Sequence, residues 1–141
     1  MRNLILCSAV LLIAGISSAQ KSPVIVKQVT LLNQTDYIKP TKLVTPTNDA
    51  IYRLSVYFER VPGSDTSADY FLNLRWTDAT GNVTKVLDIC NGNGCVAPRS
   101  IQLTYTIRAV AGSPVGYSVT ASVQPPLPTP YNAFITVEQL Q

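Results

Sequence analysis

The stretch AIYRLSVYFE, residues 50 to 59, sets Tyr52, Leu54, Val56 and Phe58 against Arg53, Ser55, Tyr57 and Glu59. Successive side chains of an extended strand point to opposite faces, so this period of two describes a strand with one side in a core. A helix would scatter the same apolar set around its circumference. The pattern recurs in DYFLNLRWT, residues 69 to 77, where Tyr70, Leu72, Leu74 and Trp76 form the apolar set and Asn73, Arg75 and Thr77 the other. SIQLTYTIRAV, residues 100 to 110, places Ile101, Leu103, Tyr105, Ile107 and Ala109 inward, and VGYSVTASV does so with Val115, Tyr117, Val119, Ala121 and Val123. DATGN turns the chain into VTKVLDI as a hairpin, and YNAFITVEQL supplies a last strand. With VIVKQVTLL and a short piece near TKLVTP, about eight strands result, and no segment shows a helical period. The expected class is all-β, a sandwich of two antiparallel sheets.

The first residues belong to a different pattern. MRNLILCSAVLLIAGISSAQ has a basic Arg2, an apolar run from Leu4 to Ile16, and the small residues Ser17 and Ala19 before a cleavage point after Ala19. The run is shorter than the roughly 20 residues of a membrane-spanning helix, so residues 1–19 read as a signal peptide. The expectation is a secreted or periplasmic domain over residues 20–141, with no membrane span once the leader is gone. Cys7 and Arg2 leave with it, and removing one of 11 basic residues leaves 10 against 8 acidic ones, a net of +2. A chain of this length forms one domain that buries roughly two-thirds of its unfolded surface. QPPLPTP, with four prolines in seven residues, lies between strands and reads as a stiff crossover loop.

Cys90 and Cys95 enclose two Asn-Gly steps in DICNGNGCVAP. In an oxidising compartment such a pair closes as a disulfide around turn-forming residues, contributing about 2 kcal/mol and holding the loop's shape more than the fold. Other chemistries each lack a part. Zinc needs four ligands, and the chain has no histidine and no second cysteine pair. A phosphate loop needs a helix behind its glycines, and a redox pair needs two intervening residues at a helix start. Asp88, Asn91 and Asn93 offer oxygens to calcium, but no bidentate glutamate follows. Neither a metal nor a cofactor is expected.

The absence of histidine also removes the Ser-His-Asp and Cys-His arrangements and most metal hydrolases, so no catalytic residue is assigned. The alternative is a lectin-like or hydrolytic protein using the polar loop from Asp65 to Tyr70, where Asp65 and Asp69 are the carboxylates. Residues 20–48 carry Lys21, Lys27, Lys39 and Lys42 against Asp36, a local net of +3. That flank is suited to an anionic surface such as lipopolysaccharide, although spaced lysines are also what protects sheet edges. So small an excess of charge in a secreted chain excludes nucleic acid as a partner. Asn33 and Asn82 stand in Asn-x-Thr sequons, which matter only in a eukaryotic secretory pathway.

The order AIYRLSVYF, FLNLRWTDATGN, SIQLTYTIRAVAGSPVGYSVTASV and a terminal YNAFITVEQL resembles the jelly roll of complement globular heads and tumour-necrosis-factor-like domains, across most of residues 50 to 140. The resemblance implies a compact trimer used for binding or display, but fold analogy transfers no ligand; for a secreted module the expected partner class is an extracellular protein or a glycan. Ile51, Tyr57 and Phe71 fall on the outward phase of their strands in a chain only 13% charged. Together with Arg75 they are the expected interface of a homo-oligomer.

Overall fold

The computed structural model describes residues 22–61, 68–90, 99–127 and 129–140. The expected leader, Asp65, and Cys95 with the turn before it lie outside the described residues. Eight strands are present: β1 (Val24–Gln34), β2 (Ile38–Val44), β3 (Ala50–Arg60), β4 (Asp69–Asp78), β5 (Gly81–Cys90), β6 (Ser100–Ala109), β7 (Val115–Ala121) and β8 (Tyr131–Gln139). They form two antiparallel four-stranded sheets, β1-β8-β3-β6 (sheet A) and β2-β7-β4-β5 (sheet B). Each strand of the first half lies on its mirror in the second: β1 on β8, β2 on β7, β3 on β6, β4 on β5. The order is that of one long hairpin, turning between β4 and β5 and rolled so that β3 also meets β8 and β4 meets β7. This is a jelly roll.

The inner faces are the alternating sets read from the sequence. Tyr52, Leu54, Val56 and Phe58 of β3 are buried against Tyr70, Leu72 and Leu74 of β4, Val115, Tyr117 and Val119 of β7, and Tyr131, Ala133, Ile135 and Val137 of β8. Phe58 and Tyr131 meet edge to face at 5.7 Å, and Tyr70 of the opposite sheet approaches Tyr131 at 6.1 Å, so three aromatic rings tie the layers together. Burial raises the Tyr70 and Tyr131 hydroxyls above the ordinary tyrosine range, which keeps both as neutral donors. Tyr70 donates to the Thr129 carbonyl and Tyr131 to the Asp36 carbonyl, each at 2.8 Å.

The Tyr70 bond also anchors the proline-rich crossover between β7 and β8, where Leu127 is buried and donates its N–H to the Thr35 carbonyl at 2.7 Å. The Tyr131 bond holds the connection between β1 and β2. Val123, placed inward by the alternation, lies beyond the end of β7 and is exposed, because the strand stops at Ala121. Trp76 is half-buried at the end of the sandwich rather than inside it. On the far edge, the Lys85 ammonium lies 5.5 Å from the centre of the Tyr105 ring and covers the gap between β5 and β6. On the near edge β1 and β2 end their sheets side by side and carry the exposed Lys27, Lys39 and Lys42, where lysine discourages further strand pairing.

Candidate functional site

With the inner faces consumed by the core, chemistry is left to the two outer faces. Side chains paired across antiparallel strands share a face, so the register places each residue. On sheet A, Arg53, Ser55, Tyr57 and Glu59 of β3 stand opposite Glu138, Thr136, Phe134 and Asn132 of β8. Tyr57 and Phe134 meet at 6.0 Å, both half-buried. The charges around them are satisfied within the chain. Arg53 Nε donates to Glu138 Oε2 at 2.6 Å, which holds the Glu138 carboxyl below its ordinary range. Glu59 accepts from Asn132 Nδ2 at 2.9 Å and from the Tyr57 hydroxyl at 2.6 Å, and these bonds lower its carboxyl likewise. Asn132 Oδ1 in turn accepts the Asn33 N–H at 2.8 Å, at a residue whose φ of 51° is left-handed. Beyond β8, the edge strand β1 exposes Val24 (60%), Ile25 (54%) and Leu32 (53%).

The outer face of sheet B is built differently. Lys42 of β2, Gly116 of β7, Arg75 of β4 and Thr84 of β5 form one row across all four strands. Two open hollows flank Arg75 and share Pro114. One, of about 230 Å³, is lined by Pro40, Thr41, Lys42 and Gly116 among others, and the other, of about 410 Å³, by Trp76, Thr77, Asn82, Val83 and Thr84. Gly116 is required at the floor of the first, because a Cβ there would stand 2.8 Å from the Thr41 carbonyl oxygen. Farther along the sheet Phe71 of β4 stands opposite Asp88 of β5. Burial, and secondarily the Asp69 carboxylate, push the Asp88 carboxyl above its ordinary range. Among the described residues no group of three histidine, cysteine, aspartate or glutamate side chains is arranged to hold a metal.

The expected interface residues therefore do not share a surface. Ile51 and Tyr57 lie on the outer face of sheet A, and Phe71 and Arg75 on that of sheet B. The four therefore form no single patch, and a closed ring built on all of them would have to join one face of a copy to the opposite face of the next. Alternation tells inside from outside along each strand but not which sheet the strand joins. The sequence reading missed the Tyr57, Glu59 and Asn132 network, whose members are 73 residues apart at their farthest hydrogen bond, and passed over Gly116, which a glycine inside a strand pattern does signal. Cys90 closes β5, and the disulfide expected of it lies outside the described residues. Of the Asp65 to Tyr70 loop, residues 68–70 are described. No helix among the described residues is long and apolar enough to cross a membrane.

No family model matches the chain, and no curated protein does. Among solved structures it is similar to the CBM22-1-GH10 modules of an endo-1,4-beta-D-xylanase from Clostridium thermocellum, with 12% identity and a TM-score of 0.37 over 84% of this chain. The match spans 24% of that protein. Eiger TNF from S. frugiperda is similar at 13% identity and a TM-score of 0.38, over 86% of this chain and 94% of that one. A pentameric capsid protein from metagenomic phage sequences gives 14% and 0.38, over 97% of this chain and 84% of that one. These likenesses assign the chain no ligand and no assembly.

Proposed function

We propose that the chain is a secreted or periplasmic, non-catalytic binding or structural module that self-associates through the outer face of sheet A. The observation that supports this most is the satisfied state of that face. Arg53 and Glu138 neutralise each other, Glu59 holds two hydrogen bonds, and the Tyr57 and Phe134 rings lie between them. A face of this kind can be desolvated without stranding a charge, and aromatic anchors are the residues that carry interface energy. One self-complementary patch favours a two-fold pair in place of the trimer implied by the resemblance. Edge-to-edge growth through β1 is opposed by Lys27 and by the break in register between Ile25 and Lys27.

Gel filtration with light scattering tests it. The full chain should elute at twice its mass at micromolar concentration, and Phe134→Glu should reduce it to one chain while the far-ultraviolet spectrum stays that of a β-protein. Phe71→Glu, on the other sheet, should leave the pair intact. A single-chain mass for the unsubstituted protein refutes self-association and leaves the sandwich.

A further inference from the structure

We infer that the two hollows flanking Arg75 form a groove for an acidic oligosaccharide, a chain of uronate sugars, with Lys42 and Arg75 holding a carboxylate between them. This rests on the binding half of the proposed function and is independent of self-association, because the groove lies on sheet B.

Charge is the first argument. Lys42 and Arg75 flank Gly116 in one row, and no carboxylate lines either hollow. Among the described residues neither cation has an ion-pair partner, whereas Arg53 on the opposite sheet has Glu138. Strands spaced about 4.8 Å apart set the two cations' backbones about 10 Å from each other, a span that two long side chains close on a single carboxylate. Gly116 keeps that span open, since the Thr41 carbonyl leaves no room for a side chain on it.

The remaining lining selects among anions. Pro40 and Pro114 give the groove apolar walls, and Trp76, half-buried against the core on the inner phase of β4, also lines the second hollow. Flat apolar walls pack against the C–H faces of a sugar ring, a contact that inorganic phosphate cannot make. Asn82, whose Oδ1 accepts from Thr77 Oγ1 at 2.9 Å, keeps its amide N–H donors for sugar hydroxyls, and Thr84 adds a hydroxyl. The N–H groups of β4 are engaged in ladders with β5 and β7, so the floor offers no nest of main-chain donors of the kind phosphates use. Two hollows of about 230 and 410 Å³ that share Arg75 and Pro114 have the volume for more than one ring.

Trp76 is the chain's single tryptophan and lines the groove, so its emission reports occupancy directly. Titration of the full chain with a short oligogalacturonate should give a saturable change in that emission, matched by calorimetric heat and weakening as salt is added. The methyl-esterified oligomer of equal length should give neither. Arg75→Gln and Lys42→Gln should each weaken binding about tenfold, as loss of a charged hydrogen bond does, with unchanged melting curves. Phe134→Glu should abolish pairing without changing this affinity, so failure of the groove and failure of self-association are read separately. The inference is overturned by silence in both signals, by an equal response to the methyl ester, or by indifference to both substitutions. Tighter binding of polyglutamate or of inorganic phosphate overturns it as well, since either makes the sugar ring irrelevant.

Discussion

Sheets A and B contribute equal numbers of strands and matching apolar inner faces, yet their outer faces have opposite characters. On sheet A the charged groups are paired within the chain and the aromatic rings lie among them. On sheet B two cations stand apart over a glycine gap, and Asp88 is held in a setting that disfavours its charge. The contrast shows how a sandwich divides its labour. Inward positions are bound to one another by packing, so one residue in two along each strand is free to vary, and the two faces answer to different demands. Face A is suited to being covered, and face B to holding something smaller.

The largest effect tests what the faces share. Phe58, wholly buried and in edge contact with Tyr131, should cost about 3–5 kcal/mol when replaced by alanine, read from urea unfolding. Ser55→Ala, three residues away on the outer side of the same strand, should stay within about 0.5 kcal/mol. Comparable losses at both sites would erase the distinction between inner and outer positions. Next, Gly116→Ala should cost about 1–3 kcal/mol by forcing β2 away from β7, with amide exchange rising first in β2. Tyr70→Phe is smaller, about 1 kcal/mol, because it removes one donor to a buried carbonyl and leaves the ring in place.

The finest comparison is by pH. Glu59 and Glu138 titrate below the ordinary carboxylate range, so their contribution to stability is complete above their unfolded values and fades as pH falls through the folded ones, below about pH 4. Asp88 has the opposite sign. Its folded value is raised, so its ionisation opposes folding at neutral pH and the penalty is relieved as pH falls through that value. Carbon-detected titration of the side-chain carboxyls should find the two glutamates early and Asp88 late on the acid scale, and Asp88→Asn should raise the neutral melting temperature slightly. If all three carboxyls titrate together, the electrostatic difference between the faces fails.

Much of this architecture can be read before any coordinates. The alternation of residues 50 to 59 delivers β3 with its inner and outer faces correctly assigned, and the same rule works for β4, β6, β7 and β8 apart from Trp76, half-buried near the end of β4, Ser118, buried on the outer phase of β7, and Val123, exposed beyond the end of β7. It is weakest at β1, where Val24, Ile25 and Val26 run without alternation into a break in register, so the sequence shows an apolar run and the structure an exposed edge. The outer surfaces were legible only strand by strand. Tyr57 and Phe71 have the same local signature, a large ring on the polar phase, and only the pairing of β3 with β8 and of β4 with β7 separates them by the thickness of the molecule. The Lys42, Gly116 and Arg75 row was invisible for the same reason, since its members come from three strands distant in the chain.

The pairing of β1 with β8 has a consequence for biogenesis. Within the described chain, β1 is the first strand to be synthesised, and its hydrogen-bonded neighbour is the last. This jelly roll cannot be completed until β8 has been made, because the seat for Val29 and Leu31 does not exist before β8 is in place. Until then these aliphatic side chains are open to any passing surface, including another nascent copy. Every sheet neighbour of β1 must be recruited across almost the full length of the chain, an arrangement that makes folding slow and makes its yield a contest with aggregation. Dilution during refolding should therefore favour this protein more than any stabilising additive, and a chaperone that shelters the N-terminal strand would act on the step where the molecule is most exposed.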